Sequence, residues 1–250
     1  AVGDFETQQM LDAIGEAFGA LDSAPPPLPV RITEPEQHAE RRVTLRGGDP
    51  TAYLTLAFHA PAADHPDFFP LIVMDAILSG AKGLGITGGG GNNRSNRLYR
   101  NLVETGIVVD VGSSFRPSID PDLFSFFATL APESNHEEVE AALWAEIEKI
   151  QQEGVTEKEL VKAIKQTRAQ FAYSSESVTY QAYWLGFAEI VTSLEWLGGW
   201  EEQLTRVTSD EVQRVAQTWF ARDKQTAGWY VPNDDADEGY DLDGEEAHDA

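Results

Sequence analysis

The sequence predicts an α+β fold, an antiparallel sheet with helices packed on one face, and three observations carry that expectation. Residues 42–130 hold most of the short runs in which apolar residues alternate or cluster as strands do. Residues 136–220 repeat their apolar positions at helical spacing instead. One further strand-like run, Thr226 to Val231, follows them. Strands first and last with helices between are the pattern of an antiparallel sheet covered on one side.

The first element opens with Val2-Gly3-Asp4, a strand end leading into a helix on which Met10, Leu11, Ile14 and Phe18 recur at helical spacing. Ser23 to Pro29 contains four prolines and reads as a stiff polyproline spacer. The chain therefore divides into 1–22, the end of a preceding unit; 23–30, a Pro-rich linker; 31–232, the main domain; and 233–250, an acidic tail expected to be disordered.

Within the main domain, Arg42 to Leu45 and Ala52 to His59 read as strands. The Gly47-Gly48-Asp49-Pro50 turn between them predicts an antiparallel pair. A helix from about Pro66 to Leu78 leads into a glycine-rich loop, Gly80 to Asn93, and a short helix from Ser95 to Glu104. Strands Ile107 to Phe115 and Leu123 to Leu130 follow, linked through Pro117 and Asp120-Pro121.

The next helix, His136 to Gln151, has Val139, Leu143, Ile147 and Ile150 on one face, with Glu137, Glu138, Glu140, Glu146 and Glu148 mainly on the solvated side. Thr156 with Glu159 is a capping box that opens a helix whose buried stripe would be Leu160, Ile164, Thr167 and Phe171. A third helix is expected over about Val178 to Leu194, and Thr208 to Glu211 opens another that runs to Phe220.

Composition narrows the function. A chain of 250 residues that is 42% hydrophobic is large enough for a core, but Pro70 and Asp75 interrupt the longest apolar stretch, so no membrane span is expected. The formal charge of −24 opposes binding to nucleic acid or anionic lipid, which requires clustered Lys and Arg. The tail holds nine acidic residues and no Lys or Arg; without it 33 acidic side chains still face 18 basic ones. Zero cysteines exclude disulfides, thiolate metal sites and cysteine nucleophiles. With acidic residues and no Lys or Arg in Ala1 to Phe18, nothing there resembles a secretory leader, and a cytoplasmic location is expected.

Familiar motifs mostly fail on context. Gly83-Leu-Gly-Ile-Thr-Gly88 has the letters of a dinucleotide fingerprint, yet a helix precedes it and more glycine follows. Gly239 to Gly244 resembles a calcium loop, but glycine stands at the first ligand and Ala250 at the twelfth. The five histidines offer no pair at i, i+4 on a helix. His59 and His65, with Asp64 and Asp67 nearby, are the nearest thing to a weak surface metal site, and ordinary loop histidines are the default. His136 reads as a first-turn residue. Ser113-Ser114 lies on a strand with no evident His or Asp partner.

Several segments in order resemble the insulinase, pitrilysin and mitochondrial processing peptidase family of inverted-zincin metallopeptidases, in its non-catalytic half. They are Val2-Gly3-Asp4, Tyr53 to Pro61, His65-Pro66-Asp67, the apolar helix Leu71 to Leu78, Val155 to Leu160, Thr208 to Val212 and Gly228 to Pro232. The most specific is Asn96-Arg97-Leu98-Tyr99-Arg100 through Gly106, similar to the family's Ser-Arg-Leu-Phe/Tyr helix.

The resemblance implies half of a clamshell, with residues 1–22 ending a preceding homologous repeat. It also implies a chamber closed against a homologous zinc-bearing half or subunit, and an extended peptide held as substrate. The inverted motif His-x-x-Glu-His is absent from this sequence, so no cofactor is expected in this chain and zinc is expected in the partner half. The chain would be inactive alone.

By position, Gly80 to Asn93 is similar to the glycine-rich loop of the family's non-catalytic processing-peptidase subunit. This makes Gly88, Gly89, Gly90, Gly91, Asn92, Asn93, Arg94 and Arg97 the expected substrate contacts, with a structural ion pair as the other reading of Arg97. The Arg and Tyr that many non-catalytic halves send to the scissile peptide fall at Val103 and Val109, or Ile107 in place of the Tyr. The rival reading is a structural assembly subunit, like the peptidase-derived core proteins of respiratory complexes.

Overall fold

The computed structural model describes residues 1–25, 34–82 and 94–233. A five-stranded sheet organises it, with β1 (Arg41–Gly47), β2 (Tyr53–Ala60), β3 (Val108–Ser114), β4 (Asp122–Leu130) and β5 (Gln225–Pro232) in the order β1-β5-β2-β4-β3. Three of the four pairings are antiparallel, and β1 runs parallel to β5.

That parallel pair corrects the expected β1–β2 hairpin. The Gly47 to Pro50 turn reverses the chain, but β5 is inserted between the two strands, pairing Leu45 with Tyr230 and Tyr53 with Tyr230. Turn chemistry encodes reversal, not adjacency. The inserted strand brings Ala227 to the core, whereas β1, with Arg41, Arg42 and Arg46, is tolerated as a charged edge.

Alternation along the strands sets the two faces. Leu54, Leu56, Phe58 and Ala60 on β2 and Phe124, Phe126, Ala128 and Leu130 on β4 are buried beneath the helices. Phe58 meets Phe126, Trp144 and Phe220 edge-on, an arrangement that adds to area burial. The opposite face is open. Val43, Leu45, Tyr53, Leu123 and Phe127 are exposed there, and the Phe127 ring lies where a side chain on Gly112 would stand.

The covering helices are α2 (Phe68–Ser79), α3 (His136–Glu153), α4 (Glu157–Ser174), α5 (Val178–Val191), α6 (Leu194–Gly198), α7 (Trp200–Arg206) and α8 (Ser209–Trp219). Every residue from Phe68 to Leu78 is buried, so α2 is the central helix. Both capping boxes form, at Thr156/Glu159 and Thr208/Glu211, and Asn135 caps α3 through Glu138 N. The expected helix to Leu194 ends at Val191, where Thr192 leaves helical geometry; Ser193 then caps α6. The short Ser95–Glu104 helix is mostly a π-helical turn, Tyr99–Val103, in which Glu104 N reaches Tyr99 O.

Helix α1 (Thr7–Phe18) forms as its spacing predicts, but none of its residues is buried. Its apolar residues Leu11, Ile14 and Phe18 stay exposed. Residues 26–30 of the expected linker and 234–250 of the expected tail lie outside the described residues.

Candidate functional site

The two ends of the glycine-rich segment are built as anchors. On the α2 side, Asp75 sits in an otherwise apolar helix and is 5% exposed. A buried carboxylate must be paired and hydrogen-bonded. Ser113 Oγ on β3 donates to Asp75 Oδ1 at 2.5 Å, and Lys82 Nζ donates to Asp75 Oδ2 at 2.5 Å. Lys82 also donates to Ser79 Oγ at 2.7 Å, and the Ser79 and Ser113 hydroxyls are 2.8 Å apart. Lys82, the last described residue at the start of the segment, is thereby fixed to α2, and through Asp75 and Ser79 to Ser113 of β3. Ser113 has the acidic partner that the sequence left unassigned, because the strand brings it over a helix 38 residues away. At 1% exposure it is packed as structure and is not open to a substrate.

On the far side, Asn96 Oδ1 accepts Tyr99 N at 2.7 Å and starts the π-helical turn. Arg97 forks onto Glu159, Nε to Oε1 at 2.7 Å and Nη2 to Oε2 at 2.9 Å, while Nη2 lies 3.4 Å from Gly154 O. Gly154 ends α3 at φ 73°, a left-handed conformation that favours glycine, which lets that carbonyl turn towards the guanidinium. The Arg97 hydrogen bonds, helped by those from Thr156, hold the Glu159 carboxyl at about 2 against the cost of burial. Lys162 adds a tether to Ser95, 3.0 Å to its carbonyl and 2.5 Å to its hydroxyl.

Among the expected contacts, Arg97 is held in that ion pair and Arg94 is exposed. Gly88, Gly89, Gly90, Gly91, Asn92 and Asn93 lie outside the described residues. Val103 and Ile107 are half-buried against the core, and Val109 is 62% exposed on a β-bulge between Val108 and Asp110.

A cleft of about 680 Å³ opens beside the Arg97 anchor, between α2, the π-helical turn, α3 and α4. Five cations line it, Arg97, Arg100, Lys149, Lys158 and Lys162, against the three carboxylates Glu146, Glu153 and Glu159. No single stretch of sequence carries this grouping. Its local signals are Arg97 with Arg100 at i, i+3 and Lys158 with Lys162 at i, i+4, each a helical face, but their convergence is tertiary.

Among the described residues, no group of three or more His, Cys, Asp or Glu side chains is placed to hold a metal ion. The residues present do not fit a catalytic zinc. His59 lies 3.6 Å from Glu34, and His65 Nδ1 accepts the backbone N–H of Asp67 at 3.0 Å. His136 begins α3 as expected, and its ring stacks on Trp229 with Nε2 2.9 Å from Tyr230 O. No helix among the described residues is long and apolar enough to cross a membrane.

With this geometry in place, known proteins offer close parallels. The sequence matches the family described as the peptidase M16 inactive domain over residues 1–167. It is 22% identical over 236 residues to the zinc protease PqqE of Helicobacter pylori, covering 92% of this chain and 50% of that protein. The chain therefore spans about half the length of the curated relative it matches.

Solved structures repeat the fold. A protease from Helicobacter pylori aligns with a TM-score of 0.81 at 23% identity over 92% of this chain and 54% of that one. The inactive peptidase domain of a zinc protease from Bordetella parapertussis aligns at 0.65 and 25% identity over 76% of this chain and 98% of that one. A chain of complex III2 from Candida albicans aligns at 0.66 and 16% identity, over 91% of this chain and 53% of that one.

Proposed function

Since the chain belongs to the M16 metallopeptidase family as one of its inactive domains, we propose that it is the non-catalytic half of a zinc peptidase, closing a chamber around an extended peptide while a homologous zinc-bearing half performs hydrolysis. The observation that carries this reading is the open face of the sheet. In a chain of charge −24, that face presents Val43, Leu45, Tyr53, Thr55, Leu123 and Phe127, all uncharged and exposed. A partly apolar surface of this extent, with charge confined to Arg41 and Asp110 on its two edge strands and to His59, suits on an acidic protein a wall that faces another protein or a peptide backbone. The free edges, β1 and β3, could receive an extended peptide as an added strand.

In this reading, Gly88 to Gly91, Asn92, Asn93 and Arg94 touch substrate, and the two anchors fix where their loop leaves and re-enters the domain. Arg97 acts at one remove by holding the loop's end to α4. Chamber closure excludes water and selects peptides by size, and the partner half activates the attacking water on its zinc.

A second reading, a structural assembly subunit without peptide handling, is favoured by the apolar side chains at Val103 and Val109 and by the likeness to a complex III2 chain. Mixing the purified chain with a zinc-bearing M16 homologue separates the two. Stimulated peptide cleavage supports the chamber role, a stable but inert complex supports the assembly role, and no association at all contradicts both.

A further inference from the structure

The cleft beside Arg97 differs in charge from the rest of the molecule. The whole chain has 18 Lys and Arg against 42 Asp and Glu, whereas the cleft has five cations against three carboxylates. The pairing inside it is uneven. Arg97 is neutralised by Glu159 and Lys149 by the buried Glu146. Among the described residues, Lys162 is bonded to the neutral oxygens of Ser95 and to no carboxylate. Arg100 and Lys158 are exposed and, among the described residues, have no carboxylate partner. Among the described residues that line the cleft, Glu153 is the carboxylate left to oppose these three, exposed at the end of α3, while Glu157 lies in the adjoining groove beside Lys158 and Lys162.

A surplus of two cations over carboxylates in one concave lining is costly to assemble unless something offsets the repulsion. The walls are helices packed on the core, so the backbone positions that carry these charges are fixed, and Lys162 is held further by its bonds to Ser95. A guanidinium such as that of Arg100 matches a carboxylate with two parallel N–H donors, and the Lys158 and Lys162 ammonium groups add point charges one helical turn apart.

We infer that this cleft binds the acidic stretch of a peptide, with Arg100, Lys158 and Lys162 taking two or three neighbouring carboxylates. The inference rests on the peptide-handling reading and specifies one class of segment that the domain holds. An acidic segment is repelled by the surrounding surface and finds attraction here, so the cleft acts as a selective anchor. The cleft includes Ser95, Asn96 and Arg97, the residues that follow the glycine-rich segment and Arg94 in sequence.

The test uses fluorescence anisotropy of a dye-labelled hexaglutamate peptide with the full chain, with hexalysine and a Gly-Ser hexamer as controls. The inference expects hexaglutamate to bind in preference to both, and to weaken severalfold when salt rises from about 50 mM to about 300 mM. The double variant Arg100→Glu, Lys158→Glu should lose about tenfold in affinity, while the control Arg116→Glu, an exposed arginine outside the cleft, should lose little. Circular dichroism melts verify that both variants are folded. Hexaglutamate binding no better than the neutral peptide, or equal losses in the two variants, overturns the inference. The same double variant should still stimulate cleavage of an uncharged peptide by a zinc-bearing half, so failure of the cleft is distinguishable from failure of the chamber role.

Discussion

Arg97 and Glu159 join two segments 62 residues apart through a forked ion pair, and the same carboxylate closes the capping box of α4 by accepting Thr156 N at 2.9 Å. One carboxylate thus sets both the start of a helix and the end of the glycine-rich segment. Glu159 titrates at about 2 when folded against 4.5 ordinarily, so its contribution is present above pH 4.5 and is lost as pH falls towards 2. Arg97→Ala should cost about 1–2 kcal/mol at pH 7, a figure kept modest because the pair is partly solvated. Urea unfolding of both proteins should show that gap shrinking as pH falls from 4.5 towards 2.

Glu140 is the corresponding knot on the same helical face, where α3 meets β1 and β5. Burial opposes its charge, but hydrogen bonds from Arg42, Gln225 and Trp229 outweigh that cost and hold its carboxyl below the usual range. Arg42 lies 4.5 Å over the Trp229 ring, so edge strand β1 is tied to α3 and β5 at once. Glu140→Ala should cost about 3 kcal/mol by leaving those donors unpaired. Hydrogen exchange should show β1 amides losing protection before those of β2 or β4. As with any carboxylate depressed on folding, the contribution is present above pH 4.5 and disappears as acid reaches the folded titration range.

The two faces of the sheet should respond oppositely to truncation. Phe58 is 0% exposed, and Phe58→Ala should lower stability by about 3–5 kcal/mol through the cavity it leaves. Phe127 is 45% exposed on the open face, so Phe127→Glu should cost the isolated chain about 1 kcal/mol or less. If the open face meets a zinc-bearing half, that variant should weaken the association about tenfold. Calorimetric melts and sedimentation with the partner measure the two effects separately.

The buried Asp67 supplies a third check on the helical layer. It accepts Arg214 Nη2 at 2.6 Å and Trp219 Nε1 at 2.9 Å, joining the start of α2 to α8. Asp67→Asn should destabilise by about 1–3 kcal/mol, because the neutral amide keeps the volume but gives up the charge-assisted bond. Thermal melts of the variant and of Arg214→Met should show losses that do not add, since both remove the same contact.

Much of this architecture is legible locally. The caps at Thr156 and Thr208, the strand alternation through Leu54, Leu56 and Phe58, and the stripe from Val139 to Ile150 each follow from residue spacing. What escaped the sequence is long-range. Nothing near Gly47 signals that Gly228 to Val231 will be inserted beside β1, since that choice depends on which strand best fills the core. Asp75 interrupts an apolar helix in sequence, and the partner that explains it, Ser113, comes from a strand 38 residues away, with Lys82 adding a local bond. The cationic cleft was hidden for the same reason, its members spread from Arg97 to Lys162 over the π-helical turn, α3 and α4.

Zinc titration with a peptide-cleavage assay on the isolated chain bears most directly on the central claim. The account predicts no tight stoichiometric zinc and no hydrolysis by the chain alone, with cleavage appearing only when a zinc-bearing M16 half is added. One tightly bound zinc per isolated molecule, with peptide cleavage that a chelator abolishes, would contradict it.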